Sequence, residues 1–207
     1  MEAWKRLLLE NKAWAQDTGS HCPVPGEKRP EFLWIGSSDP LVSPERITGS
    51  DAGDLIVHRN LGNLVLHTDF NLLAVLESGI AELEVPHVIV CGHYDCMGVK
   101  AALDQRPHTV MNSWLNHIRD TARAHKDELA MHEPKAAFRR LVELNVLQQV
   151  HNLARTSVVQ RAWKRSGTPT LHGWVYDAHD YNIRPLVKVD QNTALDEAHQ
   201  IEVHVES

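Results

Sequence analysis

Two short segments of this chain carry side chains whose types and spacing suit a metal ion. His93 and Cys96, separated by two residues, follow the apolar run at residues 87–91, and Asp39 follows an earlier apolar run at residues 32–35. Imidazole, thiolate and carboxylate groups all bind zinc, and three such ligands with an open fourth position are typical of a catalytic zinc site. The sequence therefore predicts a zinc site with three protein ligands, Asp39, His93 and Cys96.

Apolar runs with the length of buried strands precede these candidate ligands. We predict parallel strands at residues 32–35, 54–58, 87–91 and 170–176, and an edge strand at 185–189. Helices are predicted at residues 2–16, 69–83, 97–104, 109–127 and 134–164, the last broken near residue 152. Strands that alternate with helices indicate an α/β fold with a mostly parallel central sheet flanked by helices. The carboxyl ends of the first three strands then meet at one edge of the sheet.

Length and composition restrict the class of protein. The 207 residues suit one domain, which we divide into an N-terminal helical arm and loop (1–30) and an α/β core (31–207). A net charge of −6 without a basic cluster argues against nucleic-acid binding, and no apolar run of about 18 residues suggests a membrane span. Three cysteines and no recognisable secretory signal favour a reducing, cytoplasmic environment.

Three segments of the chain carry a recognisable set of motifs: Phe32-Leu33-Trp34-Ile35-Gly36-x-Ser38-Asp39, Gly53-Asp54-Leu55-x-Val57-His58-Arg59-Asn60 and Val90-Cys91-Gly92-His93-Tyr94-x-Cys96-x-Gly98-Val99. They resemble the β-class carbonic anhydrases, in particular bacterial enzymes with a second, non-catalytic bicarbonate pocket. The likeness continues through Glu143-Leu144-Asn145-Val146 and His172-Gly173-Trp174-x-Tyr176. The resemblance implies a zinc-dependent lyase that hydrates carbon dioxide. It also implies a homodimer in which the N-terminal helix packs against the partner subunit, or a homotetramer of two such dimers.

The chain departs from this family at three positions that bear on the chemistry. The family's motif reads Gly-Cys-Ser-Asp-Ser-Arg, and its cysteine is a zinc ligand, but this chain has Ser37, Pro40 and Leu41 at the Cys, second Ser and Arg positions. A neutral hydroxyl is a poorer zinc ligand than a thiolate, so zinc is expected to bind weakly or not at all unless another anion replaces the sulfur. Leu41 cannot form the family's Arg–Asp ion pair, which leaves Asp39 free to coordinate the metal. We therefore expect carbon dioxide hydration to be weak or lost, with the site used either for residual hydration or for another small electrophilic substrate.

Asp95 lies between the two presumed ligands, where the family usually has glycine. Asp95 is a candidate catalytic base, extra metal ligand or substrate contact, and Asp39 is also a candidate catalytic residue. The alternative is that Asp95 caps the helix that begins near Cys96, because aspartate is favoured at helix N-termini.

An anion pocket is implied by the same resemblance. Its residues would be Trp34, Arg59 and Tyr176, with backbone from Gly36. A buried tryptophan on a central strand and an arginine at a strand end are also ordinary packing choices, so both interpretations stay open.

Other chemistries fit the same residues. Cys96 beside His93 at a helix N-terminus could be a metal-free thiolate nucleophile. A non-catalytic protein that keeps only the fold and the anion pocket is a further alternative. The segment Asp177-Ala178-His179-Asp180 could also bind a metal, but its composition is more typical of a solvated turn.

Overall fold

A computed structural model describes residues 2–18, 28–104 and 110–193 of the chain. The helices are α1 (Ala3–Thr18), α2 (Pro44–Thr48), α3 (Phe70–Leu76), α4 (Met97–Leu103), α5 (Val110–Ala124), α6 (Lys126–Ala130), α7 (Pro134–Ala154) and α8 (Ser157–Ser166). A π-helical segment, Glu77–Glu82, continues α3. The strands are β1 (Phe32–Ser37), β2 (Leu55–Asn60), β3 (His87–His93), β4 (Thr170–Asp177) and β5 (Asn182–Val189).

The strands form one five-stranded sheet in the order β2-β1-β3-β4-β5. The first four of these in that order are parallel to one another, and β5 is antiparallel to β4. This confirms the predicted α/β fold with a mostly parallel sheet. β1 and β3 each run two residues beyond their predicted ends, because Gly36, Ser37, Gly92 and His93 still pair in register although they are not apolar.

The main hydrophobic core lies between the sheet and the helices packed on one of its faces. On β1, Leu33 and Ile35 point into this core, whereas Trp34 between them belongs to a smaller cluster on the other face. This alternation follows from the two-residue period of a strand. α7 packs against β3, β4 and β5 and supplies much of the helical side of the core. Each fully buried large side chain contributes roughly 1.5–3 kcal/mol to folding.

Three of the predicted helices are divided in the structure. The one predicted at residues 69–83 is α3 followed by the π-helical segment, and Asp69 caps α3 as expected, since its carboxylate accepts hydrogen bonds from the N–H groups of Asn71 and Leu72. The one predicted at residues 109–127 ends at Ala124 and is followed by α6. The long helix predicted at residues 134–164 with a break near residue 152 is α7 and α8, and the break follows Ala154. Thr156 starts α8 there by accepting a hydrogen bond from the Val159 N–H.

Helix α1 carries apolar side chains that the described part of the chain does not cover. More than half of each of these side chains is exposed: Trp4, Leu7, Leu8, Leu9 and Trp14. Residues 19–27, which include Cys22 and most of the predicted loop, lie outside the described residues. Among the described helices, none is long and apolar enough to cross a bilayer.

Candidate metal centre

The ends of β1 and β3 bring the candidate ligands together. β1 ends at Ser37 and β3 at His93, and the two strands are parallel neighbours with Gly36 opposite Cys91. Asp39 follows β1 by two residues, and Cys96 is the N-cap residue of α4. All four side chains that could meet a metal here, Ser37, Asp39, His93 and Cys96, are buried.

The four side chains lie as two close pairs. His93 Nε2 is 3.8 Å from Asp39 Oδ2, and Ser37 Oγ is 3.6 Å from Cys96 Sγ. Zinc bonds of about 2.1 Å to nitrogen or oxygen and about 2.3 Å to sulfur place two tetrahedral ligands about 3.4–3.6 Å apart. Both separations are close to these values. Within the described ranges, however, no group of three His, Cys, Asp or Glu side chains is arranged to hold a metal ion.

The imidazole of His93 is oriented like that of a metal ligand. Its Nδ1 lies 3.1 Å from the backbone carbonyl oxygen of Tyr94 and donates to it, while Nε2 is buried and has no hydrogen-bond partner among residues 2–18, 28–104 and 110–193. A bare imidazole nitrogen beside a thiol and a carboxylate matches the donor types that zinc prefers. The residues present therefore fit zinc in kind, with His93, Cys96 and Asp39 as the side chains that would hold it.

Electrostatic interactions in the site favour charged forms of the His93–Cys96 pair. Burial acts to raise the pKa of the Cys96 thiol, but the interaction with His93 and the contact with Ser37 outweigh burial and lower it. For His93, burial acts to lower the pKa, and the interactions with Cys96 and Asp39 raise it overall. A thiolate at Cys96 is the form that binds metal or acts as a nucleophile.

Asp39 is held by backbone groups and faces His93. Its Oδ1 accepts a hydrogen bond of 3.1 Å from the Leu41 N–H, which leaves Oδ2 on the side of His93. The Leu41 side chain is 82% exposed and makes no contribution to the site. Arg59 contacts this segment through the carbonyl oxygens of Ser37 and Asp39 and not through the carboxylate. The Asp39 carboxylate therefore has no arginine partner in the described structure.

Comparisons with known proteins agree on one family. A family model described as carbonic anhydrase matches residues 32–183. The chain belongs to the β-carbonic anhydrase family. It is 37% identical to a carbonic anhydrase of Emericella nidulans, over 87% of this chain and 82% of that protein, and 38% identical to one of Pseudomonas aeruginosa, over 76% and 73%.

Solved structures of β-carbonic anhydrases share the fold of this chain. A Coccomyxa enzyme superposes with a TM-score of 0.85 at 31% identity, covering 91% of this chain and 89% of that one. A tetrameric enzyme of Sordaria macrospora gives 0.83 at 32% identity, covering 90% and 98%. Family membership implies carbon dioxide hydration and a zinc cofactor, so the departures at Ser37, Pro40 and Leu41 are changes within a known type of site.

Asp95 is placed outside the buried pairs of this β-carbonic anhydrase site. Its backbone has φ +66°, in the left-handed region that glycine occupies more easily, which explains why glycine is the family's usual residue. Its exposed carboxylate lies 3.1 Å from His179 Nε2. The N-cap of α4 is Cys96, so the carboxylate links the start of α4 to the turn after β4.

Two of the residues expected to form the anion pocket, Trp34 and Tyr176, lie in the smaller cluster of buried side chains. The indole Nε1 of Trp34 is buried and has no hydrogen-bond partner among the described residues. Gly36 is required here, because a Cβ at this position would lie 2.5 Å from that Nε1. Arg59 is exposed, and its guanidinium donates to the backbone of β1 and of the segment after it.

Sequence reasoning missed a network of charged and aromatic groups next to His93. Asp177, predicted in a solvated turn, is instead 4% exposed and accepts hydrogen bonds from Arg139 and Arg184. Arg139 in turn stacks on Tyr94, whose hydroxyl donates to Glu143. Arg139 and Glu143 lie one helical turn apart on α7, which is the spacing that could have suggested a shared role.

Proposed function

We propose that this chain is a zinc-dependent lyase of the β-carbonic anhydrase type in which His93, Cys96 and Asp39 hold the metal and carbon dioxide hydration is slow. The observation that carries the proposal is the pairing of Asp39 Oδ2 with the buried, unpartnered Nε2 of His93 at 3.8 Å. Asp39 supplies the negative charge that the absent cysteine would have provided. A protein of this kind acts on carbon dioxide or on another small electrophile.

Zinc bound here would act as a Lewis acid and lower the pKa of a bound water toward neutrality. The side chains of the chain itself have separable roles. His93 and Cys96 would bind the metal. The Ser37 hydroxyl contacts the Cys96 sulfur instead of providing a second thiolate. Asp39 cannot both complete the shell and remain free to position a substrate or accept a proton. This double demand on Asp39 is the physical reason for slow hydration.

Zinc titration and stopped-flow hydration assays test the proposal. We expect about one zinc ion per chain at saturation and turnover well below that of relatives with the full motif. Restoring Ser37→Cys, Pro40→Ser and Leu41→Arg together should raise hydration, because the thiolate and the arginine partner of Asp39 return. Failure to bind zinc, or family-typical turnover by the unaltered chain, would contradict the proposal.

A metal-free thiol enzyme is the second candidate, favoured by the lowered pKa of Cys96 beside His93. Iodoacetamide should then modify Cys96 rapidly near neutral pH in metal-free protein, and Cys96→Ser should abolish turnover. Slow alkylation, or full activity of the variant, would exclude this candidate.

Bicarbonate binding away from the metal is supported by the unpartnered indole nitrogen of Trp34. An anion accepting from this N–H and from Arg59 would satisfy a donor that is otherwise buried unpaired, which costs roughly 1–3 kcal/mol. A protein that retained only this function would be a non-catalytic anion sensor. Calorimetry with bicarbonate should detect binding that Arg59→Gln weakens. If the unaltered chain gives no heat of binding, the anion-sensor role is ruled out.

Self-association is also part of the proposal, as a cytoplasmic homodimer or a homotetramer of two dimers. It is supported by the uncovered apolar side chains of α1 and by the similarity to a tetrameric relative.

A further inference from the structure

We propose that Tyr94 is a positioning residue for His93. Its side chain is clamped by Glu143 and Arg139, and its backbone carbonyl then holds the Nδ1–H of His93, so that Nε2 presents a lone pair to the site. The inference deepens the proposed metal-binding function. Its central readout is the tautomer of His93 in metal-free protein, which does not depend on that function.

Tyr94 is fixed at four points. Its hydroxyl donates to Glu143 Oε1 at 2.6 Å, and the Arg139 guanidinium carbon lies 3.5 Å from its ring centroid. Its N–H donates to the carbonyl oxygen of Tyr176 at 3.0 Å. Its carbonyl oxygen accepts from His93 Nδ1 at 3.1 Å. With the side chain and both peptide groups held, the carbonyl that faces His93 has little freedom to turn away.

The two clamping residues are themselves anchored. Arg140 donates to the second carboxylate oxygen of Glu143 at 2.9 Å, and Arg139 donates to the buried Asp177 at 2.8 Å. Arg139 and Glu143 belong to α7, whereas Asp177 ends β4. The clamp therefore ties the orientation of the residue after β3 to a helix and to the neighbouring strand.

The clamp decides between two forms of His93. With Nδ1 protonated, Nε2 is an acceptor that can bind metal. With Nε2 protonated, the ring would donate toward Asp39 Oδ2, 3.8 Å away, and would no longer offer a ligand nitrogen. The Tyr94 carbonyl favours the first form because it can only accept a hydrogen bond. Packing alone does not need the tyrosine hydroxyl, since phenylalanine fills the same space.

Nitrogen-15 NMR of histidine-labelled, metal-free protein tests the inference. At alkaline pH, where His93 is neutral, we expect it to be protonated on Nδ1 in the unaltered chain, and Tyr94→Phe and Glu143→Leu to populate the Nε2-protonated form. Both variants should also bind zinc about tenfold more weakly, the lower end of the range for groups that orient a metal ligand. Glu143→Gln should behave like the unaltered chain, because its amide oxygen still accepts from Tyr94.

A matched control separates the clamp from general stability. Arg161→Gln removes an exposed ion pair with Glu77 that lies outside the clamp, so the tautomer and zinc affinity should stay unchanged. Thermal unfolding of every variant identifies losses due to misfolding. An unchanged tautomer and zinc affinity in Tyr94→Phe would overturn the inference. If the chain binds no zinc but the tautomer shifts as expected, the proposed function fails and the inference stands.

Discussion

Ser37 Oγ lies 3.6 Å from Cys96 Sγ, where the end of β1 meets the start of α4. That separation is about what a tetrahedral zinc ion imposes on an oxygen and a sulfur ligand. The backbone therefore retains the position of the family's first cysteine, although the side chain there is a hydroxyl that also accepts from the Asp39 N–H at 3.2 Å.

Ser37→Cys should strengthen zinc binding. A thiolate at this position adds a charged, soft ligand to a site whose backbone is already in place, so we expect at least about a tenfold gain in affinity. Competition with a chromophoric chelator measures it. Ser38→Cys is the matched control, because that neighbouring side chain is exposed. An equal gain in both variants would show that the added thiol does not act at the site.

Gly36→Ala should destabilise the fold and abolish bicarbonate binding. The new Cβ would lie 2.5 Å from Trp34 Nε1, in a fully buried position, and must displace the indole. Overpacking of this kind costs typically 1–3 kcal/mol, which urea unfolding detects. Ser38→Ala, on the exposed residue two positions later, should be near neutral. Stability and bicarbonate binding equal to those of the unaltered chain in Gly36→Ala would disprove the close packing of Gly36 against Trp34.

Asp177 should support stability in a defined acid range. Hydrogen bonding from Arg139 lowers its pKa to about 2, below its usual value. A carboxylate with a depressed pKa stabilises the fold above its unfolded pKa of about 3.9 and loses this contribution as the pH falls toward 2. The stability difference between the unaltered chain and Asp177→Asn should thus shrink between pH 5 and about pH 2.

Urea unfolding at several pH values measures that difference. The exposed Asp120→Asn serves as the control, since its ion pair with Arg123 is at the surface and such pairs contribute little. A difference for Asp177→Asn that is constant from pH 5 to 2 would refute the role of the ionised carboxylate.

Leu8→Glu should weaken self-association. The side chain is more than half exposed on α1, and burying it against a second copy would make a new charge there costly. Light scattering across a concentration series should show a larger assembly for the unaltered chain and a shift to monomer in the variant. Lys12→Glu changes a charge on the same helix without removing an apolar side chain and is the control. Equal masses for Leu8→Glu and the unaltered chain would contradict this use of α1.

The positions of the candidate ligands could be predicted because they follow buried parallel strands directly in sequence. The apolar runs before Asp39 and His93 identify strand ends, and parallel strands bring such ends to one edge. The pairing of His93 with Asp39 required the register of β1 against β3, which a single sequence does not contain.

The clamp around Tyr94 was beyond sequence reasoning for a different reason. Glu143 is 49 residues away from Tyr94, and Asp177 is 38 residues from Arg139, so no local spacing relates them. Asp177 also follows a strand in a polar segment, where solvent exposure is the ordinary expectation. Its burial depends on two arginines from α7 and β5 that only the tertiary fold brings near.

The zinc dissociation constant of Asp39→Asn is the sharpest test of the claim that Asp39 completes the metal shell. Asparagine keeps an oxygen that can accept from the Leu41 N–H, so the local backbone should hold while the negative charge is lost. We predict zinc binding at least about tenfold weaker than in the unaltered chain, measured by chelator competition at constant pH. Unchanged zinc affinity in Asp39→Asn would contradict the claim.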